Sequence, residues 1–177
     1  MRRVLAAVGA LALGATGFAQ MDNAAIAQSA TGFGFKIGAF VPADSAIRDN
    51  TNNTLLDFGV EYDLEEGFFK SGVTFFGLDW ISQTIFGADH IAMFHLDQRF
   101  YMGPRKFSAG GSAYFFLGVG IVGVDIAGDS GTGWGVRGGI GTEMRDNWFL
   151  EVNGLVTSEI NGVNASGIGA MLGYRFK

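Results

Sequence analysis

The chain has no cysteine, and that absence excludes three designs at once: a disulfide scaffold, a thiolate metal site, and lipid attachment at a lipoprotein-type signal. It is also short of charge. Asp, Glu, Lys and Arg make up 16% of its 177 residues, against about 25% in an ordinary soluble domain. Cations are outnumbered by anions, 12 to 17, and the net charge of −5 argues against a nucleic-acid partner, which would require a basic face. Beyond the N-terminus no apolar run is long enough for a transmembrane helix, because Gly or a charged residue interrupts each one within a few positions. What the chain has in excess is glycine, 29 residues, more than twice the usual share of about 7%. A surface poor in charge and a backbone rich in glycine both need a structural reason.

The length supports one domain, preceded by a leader. Met1, Arg2 and Arg3 followed by the apolar run Val4 to Gly17 have the order and length of a secretory signal, too short to span a bilayer. Small-x-small sites end at Ala19 and at Ala27, so residues 1–27 are expected to be signal peptide and a short N-terminal segment, with cleavage after 19 or 27. The domain is expected over 28–177.

From residue 31 the dominant signal has period two, the period of strands. Phe33, Phe35, Ile37, Ala39 and Val41 alternate with Gly32, Gly34, Lys36 and Gly38. The pattern recurs around Leu56–Asp63, Phe76–Trp80, Ala92–Tyr101, Tyr114–Ile121, Trp134–Met144, Trp148–Val156 and Gly167–Phe176, which makes eight segments. In the third, Val73 and Phe75 blur the face assignment. Turn-rich links such as "PADSAIRDNTNN", "QTIFGAD", "AGDSGTG" and "SEINGVNAS" separate them. The link "RDN" is too short for a parallel crossover, so segments six and seven form an antiparallel hairpin. An up-and-down antiparallel barrel is the simplest topology.

Alternation alone fits a soluble barrel, apolar inside, or a membrane barrel, apolar outside. The second face decides. It is mostly glycine with sparse ions, whereas a solvated face would carry Lys, Glu and Thr. Inside an eight-stranded barrel the lumen only just accommodates side chains, so small residues make room for charged ones. The lumenal charges are then Lys36, Asp57, Glu61, Asp63, Asp79, Asp97, Arg99, Arg137, Glu143, Glu151 and Arg175, with His95 among them. Both signs are present, and burial favours pairing, since an isolated buried ion costs several kcal/mol. A mutually neutralised ion-pair network is expected. The fold class is all-β, an eight-stranded antiparallel up-and-down transmembrane β-barrel, with aromatic girdle residues Tyr62, Trp80, Trp134, Trp148, Tyr174 and Phe176 near strand ends.

The end of the chain, "GIGAMLGYRFK", carries the alternation of a last membrane strand and an aromatic-x-Phe signature at Tyr174 and Phe176, with Lys177 beyond where that Phe is usually final. With "FGFKIGAFVPADSAIRD" and "AYFFLGVGIVG", it resembles the small eight-stranded outer-membrane β-barrel family of the OmpA transmembrane domain, OmpX and OmpW. That resemblance implies the outer membrane of a Gram-negative bacterium, outer-membrane lipid as surroundings, and recognition of the final strand by the barrel assembly machinery. It implies no cofactor.

Both termini would then be periplasmic, and the Pro42–Asn53 link, with Asp44, Arg48 and Asp49, would be extracellular. Loops carry function more often than scaffolds do, and an unliganded solvated loop is the plain alternative. His95, Asp97 and Arg99 share a face and have acid-base chemistry. Neither histidine has a Ser beside it on its own face, so a lumenal ion cluster is the better reading. Asp89 and His90 are too few for a metal. Asp125 and Asp129 lack the spacing of a calcium loop and fit a hairpin turn. The expected function is non-enzymatic, structural or surface-interacting through extracellular loops. The alternative is a narrow channel for small hydrophobic solutes, of the OmpW kind, with Phe40, Phe75 and Phe116 as lining residues.

Overall fold

The computed structural model describes residues 32–64, 72–102 and 112–176, and the expected signal segment and Lys177 lie outside them. Eight long strands form the wall: β1 Phe33–Pro42, β2 Leu55–Leu64, β3 Val73–Ser82, β4 His90–Tyr101, β5 Ser112–Ile126, β6 Asp129–Glu143, β7 Trp148–Thr157 and β10 Gly167–Arg175. Each pairs antiparallel with its sequence neighbour, and β1 closes on β10 through the register Gly34↔Arg175 to Pro42↔Gly167. Closure leaves the wall without a free edge, so backbone N–H and C=O groups are paired within it. A strand of 10 residues rises about 33 Å and, tilted, spans about 25 Å, the height of an apolar membrane band.

The alternation resolves as expected for a barrel that is apolar outside. Phe35, Ile37, Leu78, Phe94, Val119, Ile121, Leu150 and Ile168 are exposed, while Lys36, Asp79, His95, Asp97, Arg137 and Glu151 are buried in the lumen. The ambiguous third segment is settled in the same way: Val73 and Phe75 are buried, and Phe76 and Leu78 face out. Glycines on the inner face make room for neighbours. A Cβ on Gly118 would collide with the Asp97 carboxylate, and one on Gly173 with the Phe149 ring.

Three links differ from the sequence expectation. The "PADSAIRDNTNN" link contains a helix, α1 Ser45–Asn50, capped by Asp44. In "AGDSGTG" only Ala127 and Gly128 form the turn, both at positive φ (56° and 87°), and β5 and β6 run on either side. Two successive left-handed residues match the right-handed twist of a hairpin, which lets the ladder continue to the tip. "SEINGVNAS" holds a small hairpin, β8 Glu159–Ile160 and β9 Val163–Asn164, turned at Asn161 and Gly162. The Asn-Gly pair is the sequence signal for that turn.

Candidate functional site in the barrel lumen

The lumen has two halves. Toward the termini, charge and aromatic rings interleave. Arg99, fully buried on β4, donates from Nη1 and Nη2 to both oxygens of Glu61 on β2 (3.0 and 2.6 Å) and from Nη2 to Glu151 on β7 (3.0 Å). Its guanidinium lies 3.9 Å from the centre of the Phe75 ring. Arg175 on β10 donates to Glu61 (2.5 Å) and to Glu143, which also accepts from Tyr101 Oη (2.7 Å). Two-pronged pairs of this kind fix geometry as well as charge.

Midway up, Lys36 Nζ lies 2.9 Å from Asp79 Oδ1, and Arg137 pairs with the other oxygen of the same carboxylate. His95 sits between two carboxylates, its Nδ1 3.0 Å from Asp97 and its Nε2 3.3 Å from Asp79. Arg137 links this group to the lower one through Glu151 at 3.8 Å.

Of the eleven charges expected in the lumen, the structure joins nine by ion pairs, Lys36, Glu61, Asp79, Asp97, Arg99, Arg137, Glu143, Glu151 and Arg175. Asp57 is buried beside them, with an Oδ1 that has no hydrogen-bond partner. Asp79 is a hub that faces Lys36, His95 and Arg137. Among the described residues seven buried carboxyl groups, Asp57, Glu61, Asp63, Asp79, Asp97, Glu143 and Glu151, share the lumen with Lys36, Arg99, Arg137 and Arg175, with His95 between. Alternation assigns faces, and it does not count charges.

The upper half is apolar and mostly aliphatic. Phe40, Leu55, Ile81, Ile91, Met93, Val122, Val124, Ile126 and Leu155 pack together, and Ile47 of α1 drops onto them with no exposed surface. Between the halves a void of about 10 Å³ adjoins Asp57, Asp79, Arg137, Asn153 and Phe40, room for one water at most. Phe40 lies in the upper cluster, and Phe75 and Phe116 in the lower one. The ion layer separates them.

The aromatic residues form two belts. Near the termini, Tyr62 and Phe33 pair across β1 and β2, Trp148 meets Tyr174 edge-on at 5.2 Å, and Tyr174 meets Phe176 at 5.1 Å. Trp80 and Trp134 lie at the opposite end, Trp134 beside Ser158 at the end of β7.

Asp44 accepts from Ala46 N–H (2.9 Å) and Asn164 N–H (2.8 Å), so it ties α1 to β9. Arg48 donates to the carbonyls of Pro42 and Ala43 (2.8 Å each), and Asp49 is exposed. Asp89 accepts from Ala127 N–H (2.8 Å).

One expectation is overturned at the rim. A serine does stand beside a histidine, because Ser82 on β3 pairs in register with His90 on β4. The juxtaposition crosses strands, so spacing along one strand does not disclose it. Their polar atoms are engaged elsewhere, Ser82 Oγ with Thr84 O (2.5 Å) and His90 Nδ1 with Ala88 O (2.8 Å). Among the described residues no cluster of three or more His, Asp or Glu could hold a metal.

No family model and no curated protein matches this chain. Solved structures do. The outer membrane enzyme PagL matches with a TM-score of 0.54 at 12% identity, over 81% of this chain and 99% of that one. The fold is that of the small outer-membrane barrels. The N-terminal β-barrel domain of Pseudomonas aeruginosa OprF (TM-score 0.48, 15% identity, 82% and 98% covered) and the Yersinia pestis outer membrane protein Ail (0.45, 14%, 82% and 99%) also match. At these identities the likeness to PagL extends to architecture alone.

Proposed function

We propose that the chain is a non-enzymatic outer-membrane barrel, exported through a cleaved signal peptide, that acts as a closed membrane-embedded scaffold presenting its outer loops. The single observation that carries this reading is the filled lumen, with paired ions below, aliphatic side chains above and Ile47 seated on top. The apolar belt supports insertion in lipid. The outward aromatics of the final strand, Tyr174 and Phe176, support engagement of the barrel assembly machinery.

The alternative, passage of small hydrophobic solutes, is weaker. Phe40 on one side and Phe75 and Phe116 on the other are separated by the Asp79, His95 and Arg137 layer, where an apolar solute would break buried ion pairs. The carboxylates left partnerless would cost several kcal/mol.

The test is conductance in planar bilayers, with uptake of a small apolar solute by proteoliposomes alongside. A closed scaffold gives a baseline current and uptake no faster than protein-free vesicles. Reproducible single-channel steps, or saturable uptake, would overturn the reading.

A further inference from the structure

The link between β3 and β4, residues 83–89, ends the barrel at the same side as α1 and holds two apolar side chains in the open. Phe86 is 76% exposed, the highest value among the large apolar residues described, and Ile85 is 63% exposed. Water alone would not favour this arrangement, since exposed apolar area carries a free-energy cost.

The segment is also braced. Ser82 Oγ–H and Gly87 N–H both donate to Thr84 O (2.5 and 3.0 Å), His90 Nδ1 pairs with Ala88 O (2.8 Å), and Asp89 accepts from Ala127 N–H on the neighbouring hairpin (2.8 Å). Phe86 itself takes a φ of 57°, a left-handed conformation that is unfavourable for a bulky side chain. Strain that persists in a fixed turn is grounds for a functional hypothesis. Here the strain sets the direction of the Phe86 ring.

That direction is outward, along the wall. The Phe86 ring centre lies 6.2 Å from that of Trp80, which in turn stacks on His90 at 3.9 Å and 12°. Trp80 shares the outward face of β3 with Phe76 and Leu78. Among the described residues the belt at this end holds Trp80, with Phe58 opposite it in register on the outward face of β2, and Trp134, and the opposite belt has Phe33, Tyr62, Trp148, Tyr174 and Phe176.

We propose that Ile85 and Phe86 form an interfacial wedge that inserts into the outer-leaflet lipid beside Trp80 and extends the aromatic belt at the outer end of the barrel. The occupant is lipid because the Phe86 ring lies against Trp80 of the lipid-facing wall, and Ile85 beside it in sequence is exposed as well. Aromatic rings at the headgroup boundary anchor a membrane protein at a defined depth. This inference rests on the membrane-barrel reading, and its test separates the two.

The experiment uses the full mature chain in phosphatidylcholine vesicles whose acyl chains are brominated either near the glycerol or near the chain ends. Trp80, Trp134 and Trp148 are replaced by Phe, and Phe86→Trp supplies the single fluorophore. Ile85→Trp in the same background is the second probe, read if the first variant fails to show the heat-dependent gel shift of a folded barrel. A third protein keeps Trp134 alone and reports the wall. The wedge predicts blue-shifted emission at position 86 or 85, quenched more by bromine near the glycerol than near the chain ends. Red, unquenched emission with Trp134 quenched would overturn the wedge, leave the barrel standing and hand the exposed pair to a protein partner. If Trp134 is unquenched as well, the membrane reading fails and the wedge fails with it.

Discussion

The two halves of the lumen are filled by opposite chemistries. Near the termini, Arg99 and Arg175 are held by Glu61, Glu143 and Glu151 and covered by Phe75 and Phe149. At the other end a cluster of apolar side chains, mostly aliphatic, closes under Ile47. The comparison separates two ways of plugging a narrow barrel. Ion pairs bind strands far apart in sequence, as Arg175 joins Glu61 across a separation of 114 residues. Each pair is also a liability, because loss of one member strands the other. The aliphatic half has no such all-or-none partners, and part of its lid is a short helix in a loop.

The largest effect is therefore expected from Arg99→Met in the polar half. The substitution keeps much of the side-chain volume but leaves Glu61 and Glu151 without a cation that contacts both, and breaking a buried pair costs roughly 3–5 kcal/mol. Urea unfolding of the refolded protein in detergent should show a lowered midpoint, with a matching drop in the temperature at which the compact gel species is lost. A change under about 1 kcal/mol would mean that the pair behaves like an exposed one, and the contrast between the halves would collapse.

Ile47→Ala probes the other half. Removing a buried Ile side chain usually costs about 2–5 kcal/mol, but α1 can lift while the wall stays intact, so the loss is expected first in local opening. Hydrogen exchange at Thr51 N–H, which bonds to Ile47 O at 2.8 Å, should accelerate while wall amides in β4 and β5 keep their protection. Equal acceleration everywhere would show that the lid and the wall unfold as one unit.

The same contrast explains what was legible in the sequence. Lys36, Asp57, Glu61 and Arg137 alternate cleanly with apolar residues, so the polar half can be assigned to the lumen from period two alone. The partners within it cannot, since Arg99 to Glu151 is a matter of barrel stagger rather than spacing. In the apolar half the period persists but its phase reverses: in "IVGVDI" at 121–126 the apolar parity passes from Val119 and Ile121 to Val122, Val124 and Ile126, and only the fold shows that these three point inward while Ile121 points out. The helix at Ser45–Asn50 is shorter than two turns and carries one apolar anchor, Ile47, too little for a helical period to register. Ser82 and His90 meet across strands, a neighbourhood that depends on register.

The smallest effect is expected at Asp44, where the surface reading and the structural one diverge. As an extracellular ligand contact, Asp44 could be replaced without consequence for the fold. As the cap of α1, it satisfies Ala46 N–H with one oxygen and Asn164 N–H with the other, and loss of an N-cap costs about 1 kcal/mol. Asp44→Ala should therefore speed hydrogen exchange at both amides by roughly five-fold, the factor that corresponds to that free energy. Asp44→Asn retains one carbonyl oxygen and replaces the second acceptor with a donor, so it should restore protection at one amide and not at the other. Restoration at both, or acceleration at neither, would remove Asp44 from the lid and return it to the loop surface as a candidate for binding.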